Sequence, residues 1–223
     1  NGFYIVSGAG LNAKTATMYQ YDAAGIPIGM YVWTLKDAGN YYKATAVTGL
    51  KDLLTYHGFS IRITGRAGIR YKTGIATDVR KALLGEGVEG YSLKEYGTLV
   101  MTDANRTKYP MIKGGEKVAI GKAYGKNEDG SLIDNIYETI NGRHRFTSVL
   151  VGLPAEQYKT DFAFRGYAVL TKGGEEVTLY GPIMYRSIYR LAQQALSMNL
   201  YEEGSDAQRF LEKLIEDGDK AVQ

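Results

Sequence analysis

Apolar and polar residues alternate along two neighbouring segments of this chain, and the alternation limits the possible fold more than any other feature. In "FSIRIT", every second residue from Phe59 is apolar and Arg62 lies among the polar residues. "GIRYKTG" repeats the pattern, with Arg70 and Lys72 between apolar or aromatic residues. A period of two is typical of a β-strand that buries one face. The two segments are therefore expected to pair as antiparallel strands around the turn "GRAG", with Arg66 in the turn.

The other strand-like runs divide the chain into two predicted units. Four short runs within residues 1–55, "FYIVSG", "ATMYQYD", "IGMYVWTL" and "YYKATAV", are separated by turn residues and predict a small β meander. "TGLKDLLTYHG" is too short for a stable isolated helix, so it is interpreted as a helical turn or linker. The predicted boundary lies near residue 56, and residues 56–223 form the larger unit.

The larger unit is predicted to be an antiparallel sandwich or a barrel-like sheet. "EYGTLVMT", "EKVAIGKAY", "SLIDNIYETI" and "RHRFTSVLVGL" supply strands, and "DFAFRGYAVL" with "EEVTLYGP" predicts a hairpin across "TKGGE". "TDVRKALLGEG" predicts a short helix with Thr77 as N-cap and Gly85 after its end. The 19 Tyr and 28 Gly against 4 Pro agree with aromatic-bearing strands joined by glycine turns.

Two helices are predicted at the C-terminus, where the apolar period changes from two to between three and four. "SDAQRFLEKLIEDG" begins with Ser205 as N-cap and has Gln208 as its capping-box partner. The preceding helix is predicted from a stripe that steps by four, three, four and three residues: Met184, Ile188, Leu191, Ala195 and Met198. The fold class is therefore mainly β, with two C-terminal α-helices that cover the sheet.

Composition excludes several classes of function. The chain has no cysteine, so thiol nucleophiles, CxxC redox chemistry and cysteine zinc sites are ruled out. Its net charge of +3 is a small difference between 27 basic and 24 acidic residues, too weak to indicate nucleic acid as a partner. No apolar run approaches the ~18 residues of a membrane span. The start at Asn1, without a signal segment, predicts an internal fragment or a mature form.

No motif for a metal, a cofactor or catalysis is found, so none is predicted. His57 and His144 lack zinc-binding spacing, and no nucleotide-binding glycine motif occurs. "KNEDGSLID" is interpreted as a polar hairpin turn and not as a calcium loop. A triad of Ser148, His144 and Asp134 lacks a GxSxG elbow. Two acidic residues beside aromatic residues, Glu95 and Asp161, occupy strand positions of the kind that glycosidase carboxylates use, which leaves a hydrolase open.

Two sets of residues are candidates for ligand binding. In the predicted meander, Tyr19 and Tyr21 share one face of a strand and Tyr31 and Trp33 share one face of the next, so a two-strand ribbon is predicted to present four rings to a sugar. The alternative is that these rings form the core of the small unit. The second set is Arg62, Arg70 and Lys72, on the polar faces of their strands. They are either solvated edge-protecting residues or a surface for an anionic cell-wall polymer or acidic glycan.

Four segments, "SIRITGRAGIRYKTGI", "EYGTLVMTD", "RFTSVLVGLPAEQYKTDFAFRGYAVL" and "YGPIMYRSIYRLAQQAL", resemble a module of secreted and cell-surface multidomain proteins of Gram-positive anaerobes. The resemblance covers roughly residues 57–200. It implies an extracellular or cell-surface setting, beside other domains of a longer parent protein. No activity is assigned to that module, so the resemblance carries over no catalytic residue.

The leading hypothesis is a non-enzymatic extracellular module for adhesion or for binding a glycan or cell-wall polymer. One alternative is a hydrolase that processes glycan or peptidoglycan with a carboxylate pair of no known motif. Another is a structural spacer or assembly module, whose aromatic residues would be buried between the two units. The fold alone does not choose among them.

Overall fold

The computed structural model describes residues 2–5, 15–21, 27–36, 41–46, 50 and 53–221, the first four ranges by their backbone only. These four ranges are strands that pair antiparallel in chain order. The predicted N-terminal meander is therefore confirmed. Its strands are β1 (Gly2–Ile5), β2 (Thr15–Tyr21), β3 (Pro27–Lys36) and β4 (Tyr41–Ala46).

The other described strands form two antiparallel sheets. We call the sheet with the order β10-β11-β6-β5 the front sheet and the sheet with the order β13-β12-β7-β8-β9 the back sheet. The front strands are β5 (Leu54–Arg62), β6 (Gly68–Ala76), β10 (Glu138–Ile140) and β11 (Arg143–Val151). The back strands are β7 (Ser92–Thr102), β8 (Ala119–Lys126), β9 (Leu132–Asp134), β12 (Phe162–Lys172) and β13 (Glu175–Arg186).

The two sheets pack face to face. The ring of Tyr71 on β6 stacks on Phe164 of β12, with centroids 5.5 Å apart, and Tyr96 of β7 contacts Phe146 of β11 at 4.8 Å. Near the centre, a Cβ added to Gly166 would lie 2.8 Å from the Thr73 side chain, so glycine is needed for the sheets to approach this closely. The predicted fold class, mainly β and sandwich-like, is confirmed.

The helices are α1 (Thr77–Leu84), α2 (Asp103–Arg106), α3 (Ile188–Ser197) and α4 (Asp206–Lys220). The two C-terminal helices pack Leu191, Leu211 and Leu214 against a cluster that includes Ile69 and Phe164, as the sequence predicts. The predicted cap of α4 is also present, because the Ser205 hydroxyl accepts a hydrogen bond from the Gln208 backbone N–H at 3.2 Å. The helices therefore cover one end of the sandwich.

Three predictions about single elements were wrong. "SLIDNIYETI" is two strands in different sheets, β9 and β10, and the N-cap position of α1 is Ala76 and not Thr77. The stripe that begins at Met184 starts in a strand, because Met184 pairs with Phe164 in the β12–β13 ladder. Helix α3 begins only after Ser187, whose hydroxyl accepts from the Arg190 N–H at 3.2 Å.

The predicted linker before residue 56 contains the start of a strand. Leu53 N–H donates to the Leu50 carbonyl at 3.2 Å, and β5 begins immediately afterwards at Leu54. All three leucines are buried in the core that the two sheets share. The predicted boundary near residue 56 therefore falls inside β5. Within the described part of the chain, no helix is both long and apolar enough to cross a membrane.

Candidate functional site

The outer face of the front sheet gathers five basic side chains, which we call the basic row: Arg62, Arg70, Lys72, Arg143 and Arg145. Burial fixes which face is outside, because Ile69, Tyr71 and Ile75 of β6 are buried and the residues that alternate with this buried face point the other way. Arg70 and Lys72 lie on β6 itself. The other three lie on the flanking strands β5 and β11.

The strand registers place these residues in sequence along the sheet. Arg62 lies opposite Gly68, Arg145 opposite Gly74 and Arg143 opposite Ala76. Directly opposed residues of an antiparallel pair share a face and a level. The five levels of the outer face of β6, at residues 68, 70, 72, 74 and 76, therefore each carry one cation. The row crosses the front sheet diagonally, from β5 over β6 to β11.

In the part of the chain that the structure describes, one carboxylate is paired with the row. Glu138 of β10 forms an ion pair with Arg145 at 2.9 Å. Within the described ranges, Arg62, Arg70 and Lys72 form no ion pair with a carboxylate. Arg62 donates instead to the Thr64 carbonyl at 3.1 Å. These three cations therefore keep most of their charge available to an anion, although each is partly buried along its apolar stem.

An aromatic ring lies beside the middle of the row. Tyr137 belongs to the connection between β9 and β10, and its N–H donates to the Arg145 carbonyl at 2.7 Å. The centroid of its ring lies 5.8 Å from the Arg70 guanidinium carbon and 5.6 Å from Lys72 Nζ. The side chain is exposed over 53% of its surface. Tyr137 thus offers an apolar ring between two cations.

His57 lies at the level of Arg145 on the same face. A Cβ on Gly74 would lie 2.4 Å from its Nε2, so the glycine leaves room for the imidazole. Its Nε2 is hydrogen-bonded to the Thr55 hydroxyl at 2.8 Å. Burial lowers the pKa of His57, and the positive charges of Arg145 and Arg143 lower it further, while Glu138 acts in the opposite direction. The face therefore favours the neutral form of His57.

Sequence reasoning identified Arg62, Arg70 and Lys72 and missed Arg143, Arg145 and Tyr137. A signal was present, because "RHRFTSVLV" places the two arginines in phase with each other, on the face opposite Phe146. No signal in the sequence indicated that β11 pairs with β6, because the paired residues are far apart in the chain. Arg143 and its partner Ala76 are 67 positions apart. Arg66 lies in the turn between β5 and β6, as predicted, and is exposed.

The predicted aromatic ribbon lies outside the residues whose side chains are described. Only the backbone register of β2 and β3 bears on it, and this register pairs Tyr19 with Met30, Met18 with Tyr31, and Ala16 with Trp33. Tyr19 and Tyr31 therefore occupy register positions on opposite faces of the meander. A bulge separates Gln20 from Tyr21. Binding by Tyr19, Tyr21, Tyr31 and Trp33 stays a prediction, but this register does not bring all four to one face.

Two catalytic arrangements suggested by the sequence are not assembled. Glu95 lies opposite Val169 and Phe162 opposite Thr102 in the β7–β12 ladder, so Glu95 and Asp161 are about 20 Å apart or more at ~3.3 Å per residue. A glycosidase pair needs about 5 to 10 Å. His144 and Ser148 are four residues apart on β11, about 13 Å by the same rise. Neither set forms a reactive group.

Glu95 is nevertheless buried, with 8% of its surface exposed. One carboxylate oxygen accepts from the Tyr167 hydroxyl at 3.2 Å and lies 3.1 Å from Lys113 Nζ, and the other lies 3.9 Å from Lys122 Nζ. Burial and the Glu95 charge raise the pKa of Tyr167, which keeps the phenol protonated as a donor. We call these four residues the Glu95 cluster. In the sequence, Glu95 lies in phase with Leu99 and Met101 of β7, and this spacing was the signal that Glu95 is buried.

The Glu95 cluster holds a connecting segment, residues 107–118, against the back sheet. Besides the Lys113 ion pair, the Lys113 backbone N–H donates to the Tyr180 hydroxyl at 3.0 Å, and Arg165 donates to the Met111 carbonyl at 3.2 Å. The guanidinium of Arg165 lies 4.4 Å from the Tyr180 ring. These contacts explain why polar residues lie on this face of the back sheet: they anchor the segment 107–118 that covers it.

The polar segment "KNEDGSLID" forms the hairpin turn between β8 and β9 that the sequence predicts. Gly130 has φ of +81° and donates to the Asn127 carbonyl at 3.0 Å, and Asp129 accepts from the Ser131 N–H at 2.9 Å. A shallow pocket of about 480 Å³ lies beside the turn, lined by Lys122, Asn127, Glu128 and Asp129. Within the described ranges, no three His, Asp or Glu side chains are grouped to hold a metal ion.

The chain was compared with known proteins at three levels. No protein-family model, no curated protein and no solved structure matches it significantly.

Proposed function

We propose that this chain is a non-enzymatic extracellular module that binds an anionic glycan or cell-wall polymer through the basic row. The observation that carries the proposal is the arrangement of five cations on one sheet face, where Glu138 is the carboxylate that the described residues pair with the row. Cations gathered on one surface raise the local concentration of anions and accelerate their encounter. The extracellular setting is part of the proposal and rests on the resemblance of residues 57–200 to a module of cell-surface proteins.

The arrangement of the row favours binding over simple solvation. Edge protection needs charges on an edge strand, but Arg70 and Lys72 lie on β6, which is paired on both sides. Like charges at neighbouring levels repel each other, and a bound polyanion removes that repulsion. An exposed aromatic ring beside them is the other element of a sugar-binding surface.

The first experiment measures binding of polygalacturonate and of neutral dextran at low and high salt by isothermal titration calorimetry. We expect polygalacturonate to bind and dextran not to bind. The double variant Arg70→Gln/Lys72→Gln should weaken binding by about tenfold or more, which corresponds to about 1.4 kcal/mol. Added salt should weaken the wild type more than the variant, because it screens exposed charges.

A second double variant, Lys81→Gln/Lys108→Gln, is the matched control. It removes the same charge from two exposed lysines that lie on α1 and beyond α2, away from the front sheet's outer face. It should bind like the wild type. Equal losses in both double variants would mean that net charge and not the basic row governs binding, and the proposal would fail.

The same incubations separate the other interpretations. A hydrolase is the second candidate, favoured by the buried Glu95 carboxylate, and its mark would be new reducing ends that disappear in Glu95→Gln. Loss of binding in a folded Trp33→Ala variant would place the site on the N-terminal meander. If no glycan binds, the structural spacer becomes the better interpretation.

A further inference from the structure

The basic row is regularly spaced, which a compact anion site would not require. Its cations occupy consecutive outward levels of the sheet, and consecutive levels are two residues apart. At ~3.3 Å per residue, each step is about 6.6 Å and the row extends over about 26 Å along the strands. Across the sheet the row shifts by only two strands, from β5 over β6 to β11. The charges therefore follow a line.

A line of charges distinguishes long ligands from short ones. A small anion contacts the cations of one or two levels, whereas an extended polymer contacts all of them at once. Each further contact is then made within an already bound ligand, at a high effective concentration, so affinity rises with ligand length until the row is spanned. The exposed ring of Tyr137 beside Arg70 and Lys72 adds an apolar surface near the centre of this line.

We propose that the ligand is an extended anionic polysaccharide whose charges follow the basic row over at least four of its five levels, with one sugar ring on Tyr137. This inference rests on the proposed function and adds the shape, minimum length and chemical class of the ligand. The ends of the row, Arg62 and Arg143, contact only long chains. The centre, Arg70 and Lys72, contacts long and short chains alike.

The test titrates the full chain with oligogalacturonates of increasing defined length, followed by calorimetry. We expect the dissociation constant to fall steeply with length and to become constant once the oligomer spans the row. The variant Arg62→Gln/Arg143→Gln should weaken the longest oligomer by about tenfold and leave the digalacturonate unchanged. Arg62→Gln alone should give a smaller loss of the same kind. The single variant keeps the hydrogen bond from Arg143 to the Leu53 carbonyl, so it is the control for a folding defect in the double variant.

Inorganic polyphosphate of matched length identifies the source of the anionic groups. Tyr137→Ala should weaken oligogalacturonate binding and leave polyphosphate binding unchanged, because only a sugar has an apolar face to stack. If Tyr137→Ala changes neither, the polysaccharide part of the inference is wrong. If short and long oligomers bind equally well, or the row-end variants bind like the wild type, the linear site is wrong although the proposed function stands. If no anionic probe binds at low salt, the proposed function itself fails.

Discussion

At the scale of single residues, His57 connects the charge of the basic row to the stability of the fold. It lies over Gly74 beside Arg145, and its pKa is lowered by burial and by Arg145 and Arg143. A histidine whose pKa is lowered by folding binds protons more weakly in the folded chain than in the unfolded chain. In the unfolded chain the pKa of a histidine side chain is about 6.5. Acidification below that value therefore favours unfolding. The stability contributed by neutral His57 is complete above pH ~6.5 and is lost as the pH falls.

We expect the free energy of unfolding of the wild type to decrease between about pH 7 and pH 5. His57→Gln keeps a polar side chain over Gly74 without a titrating group, so its stability should decrease less over the same range. Urea unfolding at a series of pH values measures both. Parallel curves for the two proteins would show that carboxylates account for the whole change and that His57 does not contribute.

Residue-scale properties were predictable where they depend on local pattern. The alternation around Arg70 and Lys72 correctly predicted that Ile69 and Tyr71 are buried and that the basic residues point away from the core. The positions of His57, Arg145 and Tyr137 beside them depend on a bulge in β5, on the pairing of β11 and on a crossing between the sheets. No local period encodes these long-range contacts.

At the scale of elements, a single arginine fastens helix α1 to the sandwich. Arg80 donates two hydrogen bonds to the Asp134 carboxylate of β9, at 2.7 and 2.8 Å, and a third to the Tyr96 hydroxyl of β7 at 3.0 Å. Its guanidinium lies 5.1 Å from the Tyr124 ring and 5.6 Å from the Tyr96 ring. Burial raises the pKa of Tyr96 to about 12, although Arg80 acts in the opposite direction. The phenol therefore stays neutral beside the arginine.

This contact should contribute more than a surface ion pair. The Arg80 side chain is only 10% exposed and its Nη2 reaches both carboxylate oxygens of Asp134, while the Asp134 side chain is 39% exposed and partly screened. A double-mutant cycle with Arg80→Met and Asp134→Ala should give a coupling energy of about 1–2 kcal/mol. The exposed pair Lys213 and Asp217 of α4, at 3.0 Å, is the matched control and should give at most about 0.5 kcal/mol. Equal coupling energies from urea unfolding would contradict this account.

At the scale of the whole molecule, the sequence predicted the class of the fold, whereas the division of the chain into two units stays a prediction. Most of the strands, the hairpins and the two C-terminal helices were predictable, because each depends on turn residues and periods within about a dozen positions. The start of the larger unit has no such local signal. "GLKDLLTY" has no alternation, and Leu50, Leu53 and Leu54 are recognisable as core only once β13 and the inner face of β6 surround them.

The same three leucines provide a test of where the larger unit begins in the sequence. In the described part of the chain, β1 to β4 pair only with one another, so the two sandwich sheets do not depend on them for backbone hydrogen bonds. A fragment of residues 47–223 keeps Leu50, Leu53 and Leu54, whereas a fragment of residues 56–223 loses all three and the first two residues of β5. Truncation of one buried leucine to alanine already costs about 2–5 kcal/mol, and a whole domain is stable by only about 5–15 kcal/mol.

We therefore expect residues 47–223 to unfold cooperatively and residues 56–223 to fail to do so, as measured by circular dichroism during urea titration. Within the longer fragment, Leu53→Ala should lower the free energy of unfolding by about 2–5 kcal/mol, and Met198→Ala, a large but exposed side chain, is the control and should change it little. If both fragments fold equally well, the leucines are dispensable and the boundary near residue 56 is right. If neither fragment folds, the sandwich needs the N-terminal meander and the chain is one cooperative unit. The meander would then stabilise the sandwich through side-chain packing, because its strands pair only with one another.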